Sequence, residues 1–117
     1  MKYFSRIGAV AALISWASVA QAEPKWGFMG LGAGGCPDYA VNFEIPTNSK
    51  ENLLGFFSWA QGYMSGLNNF LTPKRQLNGI SEKAQKTELY KYCVAHPEKT
   101  FSASVKNLYD NLPELNP

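Results

Sequence analysis

The chain has 117 residues, eleven of them basic and nine acidic, for a net charge of +2, with two cysteines and one histidine. That length is room for one domain. Basic residues are scattered, with Lys74-Arg75 the only adjacent pair, so the charge pattern excludes nucleic acid as a partner recognised by a basic face.

The chain opens on a leader. Lys2 and Arg6 precede an apolar run that reaches about Val19, and Ala20-Gln21-Ala22 supplies small residues for cleavage. This is the plan of a secretory signal peptide. The run falls short of the roughly 20 apolar residues of a membrane span; an uncleaved anchor is the alternative. Residues 1–22 are thus expected to be removed after Ala22, leaving residues 23–117 in the periplasm. Lys2 and Arg6 leave with the leader, so nine basic side chains then face nine acidic ones. No later stretch is long and apolar enough to span a membrane. Export also places Cys36 and Cys93 in an oxidising compartment, where a single disulfide between them is expected. An intermolecular bridge or two free thiols are the alternatives.

Residues 23–35 read as a glycine-rich apolar arm. Gly27, Gly30, Gly32, Gly34 and Gly35 cost too much backbone entropy for a regular element. Trp26, Phe28, Met29 and Leu31 are nevertheless large and apolar. The plain expectation is that the arm packs on its own domain. The same four residues are the candidate protein-binding residues.

Residues 36–117 read as a helical domain. Pro37 and Asp38 suit the start of a short helix or turn over 36–43, and Pro46-Thr47-Asn48-Ser49 reads as a connection. The main helix is predicted over 50–71, capped by Asn48 or Ser49. Its stripe is Leu53, Phe57, Ala60, Met64 and Leu67. Leu54, Phe56, Trp59, Tyr63 and Phe70 widen that stripe, so the helix should be central. Gly55, Gly62 and Gly66 inside it each cost up to about 1 kcal/mol against alanine. Close approach of a neighbouring helix or of the disulfide-linked segment is the expected compensation. Thr72-Pro73 ends the helix and a polar loop follows to Gly79. Ser81 caps a helix over 82–95 with Ala84, Tyr90, Cys93 and Val94 inward and Leu89 near the edge. His96-Pro97 breaks it. Thr100 caps a last helix over 101–112, with Phe101, Val105, Leu108 and Leu112 on one face, and Pro113 stops it. The fold class is all-α.

Nothing in this pattern points to an enzyme. A nucleophile needs an activating base, and the one histidine, His96, is expected to serve the end of its helix. One histidine and dispersed carboxylates make no metal site, and the arm lacks the Lys-Ser/Thr ending of a phosphate loop. Glu82 and Glu88 are six apart and do not share a helix face. No cofactor is expected.

Early Cys36, the central Trp59-Ala-Gln-Gly-Tyr63, the segment Tyr92-Cys93-Val-Ala-His-Pro97 and the last amphipathic helix ending at Leu112-Pro113 together resemble the HdeA/HdeB family of small periplasmic acid-stress proteins. The resemblance covers most of the exported part and is clearest from Tyr92 to Pro113. It implies a bundle of about four helices with a Cys36–Cys93 bridge, and a homodimer near neutral pH. It also implies a chaperone that acid activates to bind unfolding proteins. In acid the nine carboxylates become neutral and His96 charges, moving the balance from zero to about +10, and self-repulsion loosens a small domain. Gly62-Tyr63-Met-Ser-Gly66 and Ala95-His-Pro-Glu98 are also similar to the Rap/Tai immunity proteins of type VI secretion. That resemblance implies instead an inhibitor of one exported toxin or envelope enzyme. This chain lacks the additional cysteines of that family, with none beside Gly62 and none after Pro113.

Overall fold

A computed structural model describes residues 28–45 and 49–115. The leader and its cleavage site, residues 23–27 with Trp26, the connection over 46–48 with the Asn48 cap, and the last two residues lie outside the described part. The fold is all-α, with four helices and no strand among the described residues. In chain order they are α1 (Cys36–Glu44), α2 (Ser49–Phe70), α3 (Glu82–Ala95) and α4 (Phe101–Asn111). A 3-10 turn at Gly30–Ala33 precedes them.

The helix ends follow local chemistry. Pro37 sits in the first turn of α1, where its missing N–H costs nothing, and Asp38 lies beside it. The Ser81 side chain accepts from the Ala84 N–H and Thr100 from that of Ala103, so α3 and α4 each begin on a hydroxyl cap. His96 closes α3 through its backbone N–H to Tyr92 O.

α1 packs against α2, α3 and α4; α4 also packs against α2 and α3, and the 3-10 turn lies on α2 and α4. The buried core draws Cys36 and Tyr39 from α1, Phe56, Phe57, Ala60 and Met64 from α2, Leu89 and Cys93 from α3, and Phe101, Val105, Leu108 and Tyr109 from α4. Phe101 is its aromatic hub, with ring centroids 4.9 Å from Tyr39, 5.0 Å from Phe56 and 6.1 Å from Trp59. The disulfide joins Cys36 to Cys93 with both residues buried and closes a span of 57 residues. A closure of that length contributes about 4 kcal/mol by the chain-entropy model.

Two short antiparallel pairings fasten the irregular segments. Cys36 N–H donates to Lys99 O and Phe101 N–H to Gly34 O, clamping the arm to the turn before α4. Gln76 N–H donates to Pro113 O and Leu115 N–H to Lys74 O, clamping the loop after α2 to the C-terminal segment. Asn68 anchors the same loop: its amide donates to Arg75 O, and its side-chain oxygen accepts from Arg75 N–H and the Tyr109 hydroxyl.

Two expectations need correction. The inward face of α3 is Gln85, Leu89 and Cys93, while Val94 is 54% exposed and Ala84 and Tyr90 are only half-buried. Gln85 is buried because its amide donates to Leu77 O and Ile80 O, which satisfies the polar group in place. Tyr90 instead lies along the edge, stacked on Phe43 at 4.3 Å with its hydroxyl donating to Glu44. In α2, Leu54 and Phe70 are exposed, so the apolar stripe is wider than the core it serves.

Candidate protein-binding groove

The described part of the arm, from Phe28 to Gly35, is docked on α2. The Trp59 indole is the anchor. Its Nε1–H donates to Met29 O at 2.9 Å, and its six-membered ring lies against Gly32, where a Cβ would sit 1.9 Å from Cζ2. Gly30 takes φ 72°, which turns the chain onto that ring. Phe28 meets Tyr63 edge-on at 5.6 Å, and Tyr63 lies 5.1 Å from Trp59.

Beyond this anchor no described residue covers the face of α2 around Gly62 and Gly66. Of the three helix glycines, Gly55 alone faces the arm, with a built Cβ 3.4 Å from Leu31 Cδ1. At Gly62 and Gly66 a Cβ would meet none of the described residues within 4 Å. Among the described residues, the expected close approach of another segment at these two glycines is therefore not found. They form the floor of a groove instead. One half of the groove, about 420 Å³, is lined by Phe28, Met29, Ser58, Trp59, Gly62 and Tyr63. The other, about 390 Å³, is lined by Gly62, Tyr63, Gly66, Leu67, Phe70 and Leu71. Gly62 and Tyr63 line both, so the two concavities adjoin on one face of α2. Phe70 at 87% and Met29 at 78% exposure stand at its margins.

The groove carries almost no charge. Burial raises the Tyr63 phenol above its ordinary range; Lys106 works against that shift and Asp110 with it. Lys106 and Asp110 form an exposed ion pair on α4, with Nζ 2.8 Å from Oδ1. A mainly apolar trough with the Tyr63 phenol and the Ser58 hydroxyl offers van der Waals and aromatic contact. His96 lies elsewhere, against the Tyr92 ring at 4.4 Å and 3.8 Å from Glu98. Among the described residues no three His, Cys, Asp or Glu side chains converge on a common point.

Of the candidate binding residues, Phe28 and Met29 line the groove. Leu31 is 40% exposed and packs at the opposite end, by Gly55, while Trp26 lies outside the described residues. Cys36 and Cys93 are joined in the core and take no part in it. Sequence reasoning missed Gly62, Gly66, Leu67, Phe70 and Leu71 as a surface. The available signal was the pair of glycines one turn apart beside apolar residues on a helix too apolar for its core. Comparison of the chain with family models, with curated proteins and with solved structures finds no match in any of the three.

Proposed function

We propose that this chain is a non-enzymatic periplasmic protein-binding protein that takes apolar segments of other proteins into the groove on α2. Its mode of action is that of an acid-activated chaperone. The observation that carries the reading is the apolar trough over Gly62 and Gly66, which no described residue covers. Two interior glycines weaken a helix by up to about 1 kcal/mol each, and here no described residue fills the space they leave. Exposed apolar concavities of this kind mark interaction sites. The leader supports export. Acid supplies activation: neutralising the carboxylates leaves an excess of positive charge on a small domain, while the bridge preserves its chain topology. The ion pairs of the described residues are exposed and hold little, at most about 1 kcal/mol each, so net charge governs the loosening.

A second reading is an inhibitor of a single exported toxin or envelope enzyme. The formed state of the groove in the folded, bridged domain favours it, since such a surface needs no loosening to bind. Light scattering of an acid-labile enzyme at about pH 2–3 and about pH 7, with and without the oxidised protein, separates the two, because carboxylates titrate between those values. Suppression of aggregation in acid alone supports the chaperone. No suppression at either pH removes it and leaves the inhibitor, to be sought as one neutral-pH partner in a pull-down from the envelope.

A further inference from the structure

The chain has three methionines, and their surroundings differ. Met1 opens the leader. Met64 lies in the core at 1% exposure. Met29 stands at the groove margin at 78% exposure and lines the half that also holds Phe28, Trp59 and Tyr63. Its backbone is fixed while its side chain is open. Met29 O accepts from Trp59 Nε1–H at 2.9 Å, and Gly30, at φ 72°, turns the chain immediately after it. The thioether is thus held at one station on the groove wall. Of the residues lining either half, Met29 alone contains sulfur. A thioether is apolar and polarisable, and suits contact with aromatic and aliphatic groups. Its sulfoxide is polar. A partner segment that covers the margin must then desolvate a polar oxygen in place of an apolar surface.

We propose that Met29 is an oxidation site that controls the groove: a peroxide converts its thioether to the sulfoxide, and the groove then binds apolar segments more weakly. The proposal rests on reading the groove as a protein-binding site and adds its regulation. In the step, a sulfur lone pair attacks one oxygen of hydrogen peroxide. The S–O bond forms as the O–O bond breaks, the proton on the transferred oxygen passes to the departing hydroxide, and water leaves. The sulfur is oxidised and the peroxide is reduced by the same electron pair. Methionine sulfoxide reductase reverses the change at the expense of a thiol, so the site works as a switch. The penalty for covering a polar group without a hydrogen bond, taken at its lower end, weakens binding about tenfold.

The experiment treats the exported, disulfide-bonded protein with dilute hydrogen peroxide at neutral pH. It is compared with untreated protein and with Met29→Leu, which keeps an apolar side chain and has no thioether. Peptide mapping by mass spectrometry locates the added oxygen, which Met29 should take up several-fold faster than Met64. The dye ANS is the probe of the groove. Treated wild type should bind it about tenfold more weakly than untreated, and methionine sulfoxide reductase should restore the affinity. Met29→Leu should bind it equally before and after peroxide. Uptake of oxygen at Met29 no faster than at Met64 overturns the proposal. Unchanged ANS affinity with Met29 fully converted overturns it, and so does an equal loss of affinity in Met29→Leu. Binding of an unfolding client protein that survives full conversion of Met29 removes the switch and keeps the binding function. A protein that binds no client before peroxide, yet loses ANS affinity on conversion of Met29, keeps the effect on the groove and removes that function.

Discussion

Replacing Gly32 with alanine tests the joint between the arm and α2. A Cβ at Gly32 would stand 1.9 Å from Cζ2, 2.0 Å from Cη2 and 2.5 Å from Cε2 of Trp59, so the indole and the turn cannot keep their places. Displacing the indole breaks its hydrogen bond to Met29 O, worth about 1 kcal/mol net. It also weakens aromatic contacts with Tyr63 and Phe101, worth about 0.5–1.5 kcal/mol each. The loss sums to about 2–4 kcal/mol, a fall of about 1–2 M in the urea midpoint for a domain of this size. Gly34→Ala is the control within the same arm, since a Cβ there meets nothing closer than 3.4 Å. Urea unfolding followed by circular dichroism compares the two variants with the wild type. A loss below about 0.5 kcal/mol for Gly32→Ala, the scale of a neutral surface change, would refute the packing of Trp59 on that backbone.

Reduction, or Cys36→Ala with Cys93→Ala, should lower stability by about 4 kcal/mol, read as the difference in urea midpoint with and without reductant. Phe101→Ala empties the aromatic hub and should cost about 3–5 kcal/mol by the same assay. Asn68→Ala removes the two-way bond to Arg75 and the acceptor of the Tyr109 hydroxyl. A loss of about 1–3 kcal/mol is expected, with faster amide exchange in the loop over 74–76. Burial pushes the Tyr39 phenol above its ordinary value of 10.0. The unfolded phenol therefore releases its proton at lower pH than the folded one, and stability falls as pH rises above about 10. Urea midpoints measured between about pH 9 and 11 should decline in the wild type and decline less in Tyr39→Phe, which has no proton to lose.

The helices were legible because their punctuation is local. Ser81 and Thr100 cap the helices they were expected to cap, and Pro73 and Pro113 follow helices that end where expected. The disulfide followed from cysteine number and expected compartment. The inward face of α3 was not legible, because burial there depends on Gln85 finding two carbonyls of the preceding loop, a matter of three-dimensional placement. The groove was misread for a related reason. Glycines in a helix announce space beside the backbone, and only the packed structure says whether a neighbour takes it: Leu31 does at Gly55, and no described residue does at Gly62 or Gly66. Docking of the arm depends on one indole ring meeting Gly32, a contact across nearly thirty positions that no periodicity encodes.

The bridge between Cys36 and Cys93 also divides the molecule mechanically. Tension applied to the two chain ends passes through the sulfur atoms and bypasses the 57-residue span between them. About 200 Å of chain length is thereby withheld from any stretching. The whole of α2 lies within the withheld part, while α4 and the arm carry the load. A machine that threads or pulls the chain from either terminus would strip the arm and α4 away first, and would meet the groove-bearing helix as an unextended loop.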